Sequence, residues 1–285
     1  MIQPSKEKSP TTSMGVVELS IEDQVGYITM NDYKHRNRFS EQFSSAMLQA
    51  FIECEQSDCR VVVIQASPID IPDDDQHKHH SRFVWSAGHD IHDFPTDQKS
   101  DPLIWEESYR QLTRQIRNSH LPVICAIQGS VWGAGCDLAA CCDFIIATND
   151  VTFAITPVKL GIPHNLVGVA NFIHAFPDHM LKEIFLLAKP INAQTAQQFG
   201  FVNRIVLSKN LHSKTREFAE QLKTVAPLCV NAVKTEMNML RDATAITTDQ
   251  AEHLAAIRRR AYRSNDYIEG LSAFFEKRSP IFKGY

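Results

Sequence analysis

The chain has 285 residues, of which 44% are hydrophobic and 22% charged. This composition is ordinary for a globular protein and excludes a fibrous or disordered chain over most of its length. The formal net charge of −4 argues against nucleic-acid binding, which needs a basic surface. No apolar run approaches the ~20 residues of a membrane-spanning helix, and seven cysteines without a CxxC pair favour reduced thiols in a cytoplasmic protein.

The first part of the chain predicts an arm, two strands, a helix and a buried strand. Residues 1–14 are polar, contain two prolines and predict a flexible N-terminal arm. Strand patterns follow over 16–19 and 25–30, and residues 40–56 repeat apolar side chains at helical spacing behind a serine that can cap the helix. The run over 60–64 is almost continuously apolar, which is typical of a strand covered on both faces.

Residues 67–82 interrupt this pattern with two prolines, three consecutive aspartates and the close trio His77, His79 and His80. Such a trio can hold a metal ion, but histidines in an acidic loop are more often simply solvated. We therefore predict a loop here and no metal site.

Beyond this loop, strands alternate with helices. Residues 102–119 show helical spacing, and 122–127 form another buried strand. A turn of small residues then leads into a helix through Cys141, and a further strand follows over 143–147. Apolar strands that alternate with helices predict an α/β fold with mainly parallel strand pairing.

The rest of the chain, after Asn165, is mostly helical, with one late strand over 202–206. From about residue 211 helical spacing dominates and is interrupted at Pro227. We therefore predict a core over 15–208 and a C-terminal helical region over 209–285.

Two segments of small residues stand out as candidate ligand-binding turns. They are WSAGHDI over 85–91 and GSVWGAGCDL over 129–138. Small residues let a backbone approach a ligand closely, and the second segment opens a helix, whose first amide N–H groups are free. Two free amides from separate segments can hold one developing oxyanion. Spacing alone leaves open the commoner alternative, in which a glycine-rich turn serves only packing.

The two segments, in this order and at this separation, resemble those of the crotonase (enoyl-CoA hydratase/isomerase) superfamily over residues 15–285. The match is carried by SAGHDIHDFP, GSVWGAGCDLA, TPVKLGIP followed by NLVG, and FFEKRSPIFKG. Within the superfamily these stretches are most similar to a decarboxylase subgroup. The resemblance implies a spiral of ββα units with a C-terminal helical subdomain that builds homotrimers or hexamers. It also implies an acyl-CoA thioester substrate and no separate cofactor.

The resemblance assigns the oxyanion hole to the backbone N–H groups of His89 and Ala134. Many members have glycine at the position of Ala134, and alanine keeps the amide that an oxyanion needs. Further substrate-binding positions in the two segments are Ala87, Gly88, Asp90, Ile91 and Gly133. Of these, Asp90 is expected to orient or cap the turn rather than to react.

The expected reaction depends on the catalytic carboxylates of the superfamily. Its hydratases use two of them, and the counterparts here are Asp137 and Val158. Valine cannot exchange a proton, so hydration is disfavoured. The decarboxylase subgroup is also apolar at the second position, and the resemblance therefore implies decarboxylation of a malonyl-type acyl-CoA, from methylmalonyl-CoA to propionyl-CoA and CO2. The oxyanion hole would hold the thioester enolate, and Thr156 would orient the departing carboxylate.

The enolate also needs a proton donor. Members of the subgroup carry a tyrosine where this chain has His164. Histidine also donates a proton and titrates near neutral pH, so His164 is the expected donor and the His89 ring a second candidate. A packing or surface substitution without a catalytic role is the alternative for His164.

Basic residues are expected to bind the phosphates of CoA. By position the candidates are Lys34, Arg36, Lys277 and Arg278, the last two often supplied by a neighbouring subunit in the superfamily. Phe274 is expected near the adenine or the pantetheine. Charged residues at such places are as often merely solvated.

Two other functions stay open at this point. An enoyl-CoA hydratase or isomerase is the first, and Val158 argues against it. A non-catalytic acyl-CoA-binding protein is the second, and the departures at Ala134, Asp137 and His164 are mild evidence for it.

Overall fold

The computed structural model describes residues 12–13, 15–67, 83–96, 101–243 and 246–285. Of the predicted arm, Thr12–Ser13 are described and pair with the strand that follows. His77, His79 and His80 lie outside the described residues. The loop and the lack of a metal site there stay predictions.

Short strands and longer helices alternate through the described chain. The strands are β1 (Thr12–Ser13), β2 (Val17–Glu22), β3 (Val25–Met30), β4 (Val61–Ala66), β5 (Val84–Ser86), β6 (Val123–Ile127), β7 (Ser130–Trp132), β8 (Phe144–Thr148), β9 (Thr152–Ala154), β10 (Ile191–Asn192) and β11 (Arg204–Val206). The helices are α1 (Glu41–Gln56), α2 (Glu107–Asn118), α3 (Ala134–Cys141), α4 (Leu166–Ile173), α5 (Asp178–Leu186), α6 (Ala193–Gln198), α7 (Leu211–Lys223), α8 (Pro227–Asp242), α9 (Thr248–Tyr262) and α10 (Asn265–Phe275). Short 3-10 turns cover Tyr33–His35, Ile91–Asp93, Pro157–Leu160 and Ser208–Asn210.

The strands form two sheets. The larger sheet has the order β1-β2-β3-β4-β6-β8-β11, antiparallel up to β3 and parallel from there on. The smaller sheet has the order β10-β9-β7-β5 and is parallel except where β10 meets β9. The predicted α/β fold with mainly parallel pairing is confirmed.

Strand β4 is covered on both faces, as its apolar sequence predicts. Val62 and Ile64 lie in the main core with α1, whereas Val61 and Val63 pack with α7 on the other face. All four side chains are completely buried. Burial of one such side chain stabilises the fold by about 1.5–3 kcal/mol. The larger sheet is therefore fixed from both sides.

The helix predicted over 40–56 is present as α1. Its N-cap is Ser40, whose Oγ accepts a hydrogen bond from the Phe43 amide at 3.2 Å. The buried face carries Phe43, Met47 and Phe51. Capping and apolar spacing thus agree on the helix and on the side that packs.

The C-terminal helices differ in how they join the body. Within the described chain no residue of α8 is fully buried, although the Lys234 side chain is only 9% exposed. By contrast, a Cβ built on Gly270 of α10 would lie 2.1 Å from the Leu160 carbonyl oxygen, so α10 packs backbone against backbone on the Pro157–Leu160 turn. This contact brings Phe274 to the candidate site. No described helix is long and apolar enough to cross a membrane, and all seven cysteines are free thiols.

Candidate active site

A cleft of about 610 Å³ lies between the loop after β5, the start of α3, the Pro157–Leu160 turn and α10. It brings together most of the residues that the sequence singles out, namely Lys34, Arg36, Ala87, Gly88, His89, Asp90, Ile91, Gly133, Ala134, Thr156 and Phe274. It does not include Asp137, His164, Lys277 or Arg278.

The two small-residue segments touch at the wall of this cleft. A Cβ built on Gly88 would lie 2.8 Å from the Trp132 carbonyl oxygen and 3.3 Å from the Ala134 amide nitrogen. Glycine is needed at this position both for that close approach and for its φ of +85°. The contact sets the Ala134 amide beside the segment that carries the amide of His89.

Both amides are free to bind an oxyanion. Neither the His89 nor the Ala134 N–H has an acceptor among the described residues. Ala134 is the first residue of α3, so its N–H also lies at the positive end of the helix dipole. The geometry supports the predicted oxyanion hole, which stays a prediction.

Residues that the sequence analysis did not single out hold the His89 segment in place. The Ser86 hydroxyl donates to the Asn37 carbonyl at 2.8 Å and accepts from the Gly88 amide at 3.2 Å. The Asn37 side chain donates to the Trp85 carbonyl at 3.0 Å. Asn37 itself is buried in the left-handed region with a φ of 48°. A buried, positive-φ asparagine leaves no periodic signal in the sequence.

Asp90 orients the turn. Its carboxylate accepts from the Arg38 Nε at 2.9 Å and caps the Ile91–Asp93 turn by accepting from the His92 amide at 3.1 Å. The His92 ring contacts the same carboxylate at 2.8 Å. Asp90 is therefore engaged, in line with the structural role expected for it.

The His89 ring stands in an aromatic box. Its centroid lies 4.6 Å from that of Tyr109, 4.8 Å from Trp105 and 6.4 Å from Phe94. Desolvation lowers the pKa of His89 to about 4, and the Asp137 carboxylate opposes this shift only in part. At pH 7 roughly one ring in a thousand is then protonated. This disfavours His89 as the proton donor near neutral pH.

Asp137 and His164 form a buried pair behind the cleft wall. His164 Nε2 lies 3.1 Å from Asp137 Oδ1, and the side chains are 11% and 4% exposed. The Phe185 ring packs on the imidazole at 5.0 Å. Helix α3 therefore carries both Ala134, which lines the cleft, and Asp137, three residues later, which contacts His164. The structure thus places His164 behind the cleft wall, with Asp137.

A second cavity of about 260 Å³ reaches Asp137 from the other side. Its lining carries many polar side chains and is supplied by α2, α3, α4 and the end of α8. It comprises Tyr109, Arg110, Thr113, Arg114, Arg117, Asn118, Asp137, Cys141, Asn165, Val167, Gly168, Asn171 and Asp242. The Tyr109 hydroxyl donates to the Ala134 carbonyl and thus braces the first turn of α3.

The predicted basic residues divide into two groups. Lys34 and Arg36 lie at the cleft, where Arg38 and Lys159 join them without having been predicted. Arg278 is instead committed to Glu269, with its two terminal nitrogens at 2.5 and 2.8 Å from that carboxylate. Lys277 lies outside the cleft lining. The binding roles of all four predicted residues stay predictions.

Among the described residues, the cleft lining offers no free pair of carboxylates. Among its described lining residues Asp90 supplies a carboxylate, and that group is held by Arg38 and His92. Val158 is 41% exposed and lies outside the lining. No cluster of three potential metal ligands occurs in the part of the chain that the structure describes.

Comparison with known proteins gives the class to which this fold and site belong. The family model described as enoyl-CoA hydratase/isomerase matches residues 20–285. The chain therefore belongs to the enoyl-CoA hydratase/isomerase family, as its two small-residue segments suggest. The expected crotonase-like fold with C-terminal helices is confirmed by this match and by the solved structures that resemble the chain.

Individual relatives show which members of the family the chain resembles over most of its length. Methylmalonyl-CoA decarboxylase of Escherichia coli (strain K12) is 35% identical over 263 residues, which are 92% of this chain and 96% of that protein. A crystal structure of methylmalonyl-CoA decarboxylase complexed with 2S-carboxypropyl CoA has a TM-score of 0.87 at 34% identity, covering 96% of this chain and 100% of that one. Carnitinyl-CoA dehydratase of Escherichia coli O157:H7 is 32% identical over 206 residues, 70% of this chain and 77% of that protein. The similarity to a decarboxylase is thus the more extensive one.

Proposed function

We propose that this protein is a carbon–carbon lyase that decarboxylates a malonyl-type acyl-CoA, converting methylmalonyl-CoA into propionyl-CoA and CO2. The observation that carries the proposal is a cleft whose described lining has two free backbone amides and no free carboxylate pair. Such a cleft stabilises an enolate but lacks the two acid–base groups that hydration of a double bond requires. The 35% identity to methylmalonyl-CoA decarboxylase supports the same substrate class.

In the proposed reaction the thioester oxygen binds the amides of His89 and Ala134. The bond between Cα and the carboxylate breaks, CO2 leaves, and the electron pair becomes that of the thioester enolate. Each amide is worth roughly 3 kcal/mol in the transition state. Thr156 orients the departing carboxylate by a hydrogen bond. In this proposal no separate cofactor takes part. Coenzyme A is counted as part of the substrate.

Protonation of the enolate carbon completes the reaction. We assign the donor to His164, whose Nε2 lies 3.1 Å from Asp137 Oδ1. His164 does not line the cleft, so its proton would reach Cα through a bridging water rather than by direct contact. The His89 ring is neutral near pH 7 because of its low pKa of about 4, and so serves through its amide.

The alternatives are distinguishable in one assay. Purified protein is incubated with methylmalonyl-CoA, and CO2 and propionyl-CoA are measured; a parallel sample receives crotonyl-CoA. Decarboxylation with negligible hydration is the expected result. Robust hydration of crotonyl-CoA, at about 10 per second, would instead identify a hydratase, toward which the similarity to carnitinyl-CoA dehydratase points. Binding of both esters without turnover would identify a non-catalytic acyl-CoA-binding protein.

We further propose that the chain assembles as a homotrimer or as a hexamer of two trimers, in the cytoplasm. The support is one face of α8, where Val233, Met237 and Leu240 are 52%, 65% and 77% exposed. An unpartnered apolar helix face of this kind is typical of a subunit interface. Light scattering of the parent and of Leu240→Glu tests the proposal: a trimeric or hexameric mass that the charge lowers supports it, and a monomeric parent contradicts it.

A further inference from the structure

The Asp137–His164 pair is positioned by the first turn of α4. His164 directly precedes Asn165, the N-cap of α4, whose Oδ1 accepts from the Gly168 amide at 2.7 Å. Gly168 lies over the pair: a Cβ built there would stand 2.5 Å from His164 Nε2 and 2.8 Å from Asp137 Oδ2. The placement of Asn165 therefore decides where the imidazole stands.

A buried carboxylate holds the other end of the Asn165 side chain. Asn165 Nδ2 donates to Glu106 Oε2 at 3.5 Å, and Arg258 Nη2 donates to Glu106 Oε1 at 3.2 Å. The side chains of Glu106 and Arg258 are 4% and 15% exposed, so this is a buried ion pair that joins α9 to the start of α2. Burial raises the pKa of the Glu106 carboxyl, and the Arg258 guanidinium opposes that shift. Glu106 lines neither the cleft nor the second cavity.

We propose that Glu106 is a positioning residue of the active site, which holds Asn165 and thereby keeps the His164 ring against Asp137. Its influence on turnover rests on the proposed function, whereas its influence on the ring does not. The chain Arg258, Glu106, Asn165 and His164 then links α9 to the proton donor without touching the substrate.

The protonation of His164 reports on this link. The charged and titratable groups around the ring are Asp137 from α3, His89 from the loop after β5, and Glu106 with Arg258 through Asn165; from α5 the ring of Phe185 contributes no charge. If Asn165 is released, the ring is free to move away from the Asp137 carboxylate, and its titration curve should then differ from that of the parent.

Two matched double variants isolate the link. Glu106→Leu with Arg258→Met replaces the ion pair by apolar groups, which proteins often tolerate, and leaves Asn165 without its acceptor. Glu106→Gln with Arg258→Met also removes both charges but keeps a carbonyl oxygen for Asn165. The two proteins therefore differ in the acceptor rather than in charge. Glu107→Gln, at a half-exposed carboxylate one residue further on, is the control for the α2 terminus.

The readout is the ring titration of His164 by NMR, assigned with His164→Phe. The apolar double variant should change the midpoint, and the glutamine variant should restore it toward that of the parent and of Glu107→Gln. If the apolar variant does not fold, Asn165→Ser keeps a capping oxygen but is too short to donate to Glu106, and it should also change the midpoint.

Equal midpoints in the parent and in a folded protein that lacks this hydrogen bond overturn the proposal, whatever reaction the protein catalyses. Turnover supplies the second measurement. In the apolar variant kcat for methylmalonyl-CoA should fall about 10-fold with KM unchanged, and in a His164→Phe background the same change should have no further effect. An equal loss in that background would identify a merely structural role for Glu106.

Discussion

The two sides of the first turn of α3 use different kinds of groups. Toward the cleft the chain presents the backbone amides of His89 and Ala134, which are held by contacts of Gly88 and neighbouring main chain. Away from the cleft it presents the side chains of Asp137 and His164, in contact at 3.1 Å. A backbone donor survives a change of side chain, so Ala134 can replace glycine there. A pair of contacting side chains does not survive such a change, so the two side chains must match each other.

Loss of a backbone amide on the cleft side should have the largest effect on turnover. Ala134→Pro deletes one N–H at the first position of a helix, where proline is otherwise tolerated. Turnover of methylmalonyl-CoA should fall about 100- to 1,000-fold, while Ala134→Gly, which keeps the amide, should retain most of it. Steady-state rates and circular dichroism check both proteins. Parental turnover in a folded Ala134→Pro protein would show that this amide does not bind the reacting thioester.

For the Asp137–His164 pair, kcat should depend on which side chain stands at position 164. His164→Phe removes the donor, and kcat should fall about 100-fold while CoA esters still bind. His164→Tyr should keep activity and flatten the profile between pH 5 and 8, because the unperturbed pKa is ~10 for tyrosine and ~6.5 for histidine. The measurement is kcat against pH. If His164→Phe turns over at the parental rate with an unchanged pH profile of kcat, His164 is not the donor, and solvent remains as the proton source.

The fit between the two members of the pair can be disturbed without removing either. Gly168→Ala places a Cβ within 2.8 Å of both His164 Nε2 and Asp137 Oδ2, so the pair must move apart or shift. We expect kcat to fall about 10-fold and KM to stay unchanged, because Gly168 lies outside the cleft. Val167→Ala, at the exposed neighbouring position, is the control. Equal rates for the two variants would mean that the pair tolerates displacement.

The last effect concerns stability at low pH rather than turnover. The folded-state pKa of His89 is about 4, below the ~6.5 of an unfolded histidine. Above pH 6.5 the ring is neutral in both states, and between pH 6.5 and 4 the unfolded chain binds the extra proton, so stability falls as the pH falls. At pH 5 the loss is about 2 kcal/mol. Urea unfolding at pH 7.5 and 5 should show this loss in the parent but not in His89→Gln.

Sequence patterns predict the large elements well because those elements have strong periodicity. The strand expected over 25–30 is Val25–Met30, and the helix expected over 40–56 is Glu41–Gln56. The smaller sheet was not predicted as a sheet. Its strands β5, β7, β9 and β10 are two or three residues long, and each is too short to show a period.

The candidate site also has a part that the sequence predicts and a part that it does not. The two amide segments are visible in the sequence because close backbone approach requires small residues. Glu106 is not visible, because its partner Arg258 lies 152 residues away and neither stands in a motif. The pairing of His164 with Asp137 also needs the fold, since 27 residues separate them. Contacts between distant side chains are set by packing, which local pattern does not encode.

Helix α8 has a consequence for local unfolding. None of its 16 residues is fully buried in the described chain, and polar contacts such as that of the Lys234 side chain, 9% exposed, with Asp143 at 2.6 Å hold it to the body. A helix of this length is marginal in water by itself. In a single subunit its amide hydrogens should therefore exchange with solvent through local opening, whereas those of α1 should exchange only on global unfolding. Burial of α8 between subunits would convert the least protected helix into a protected one, so that subunit association and the folding of this helix become one event.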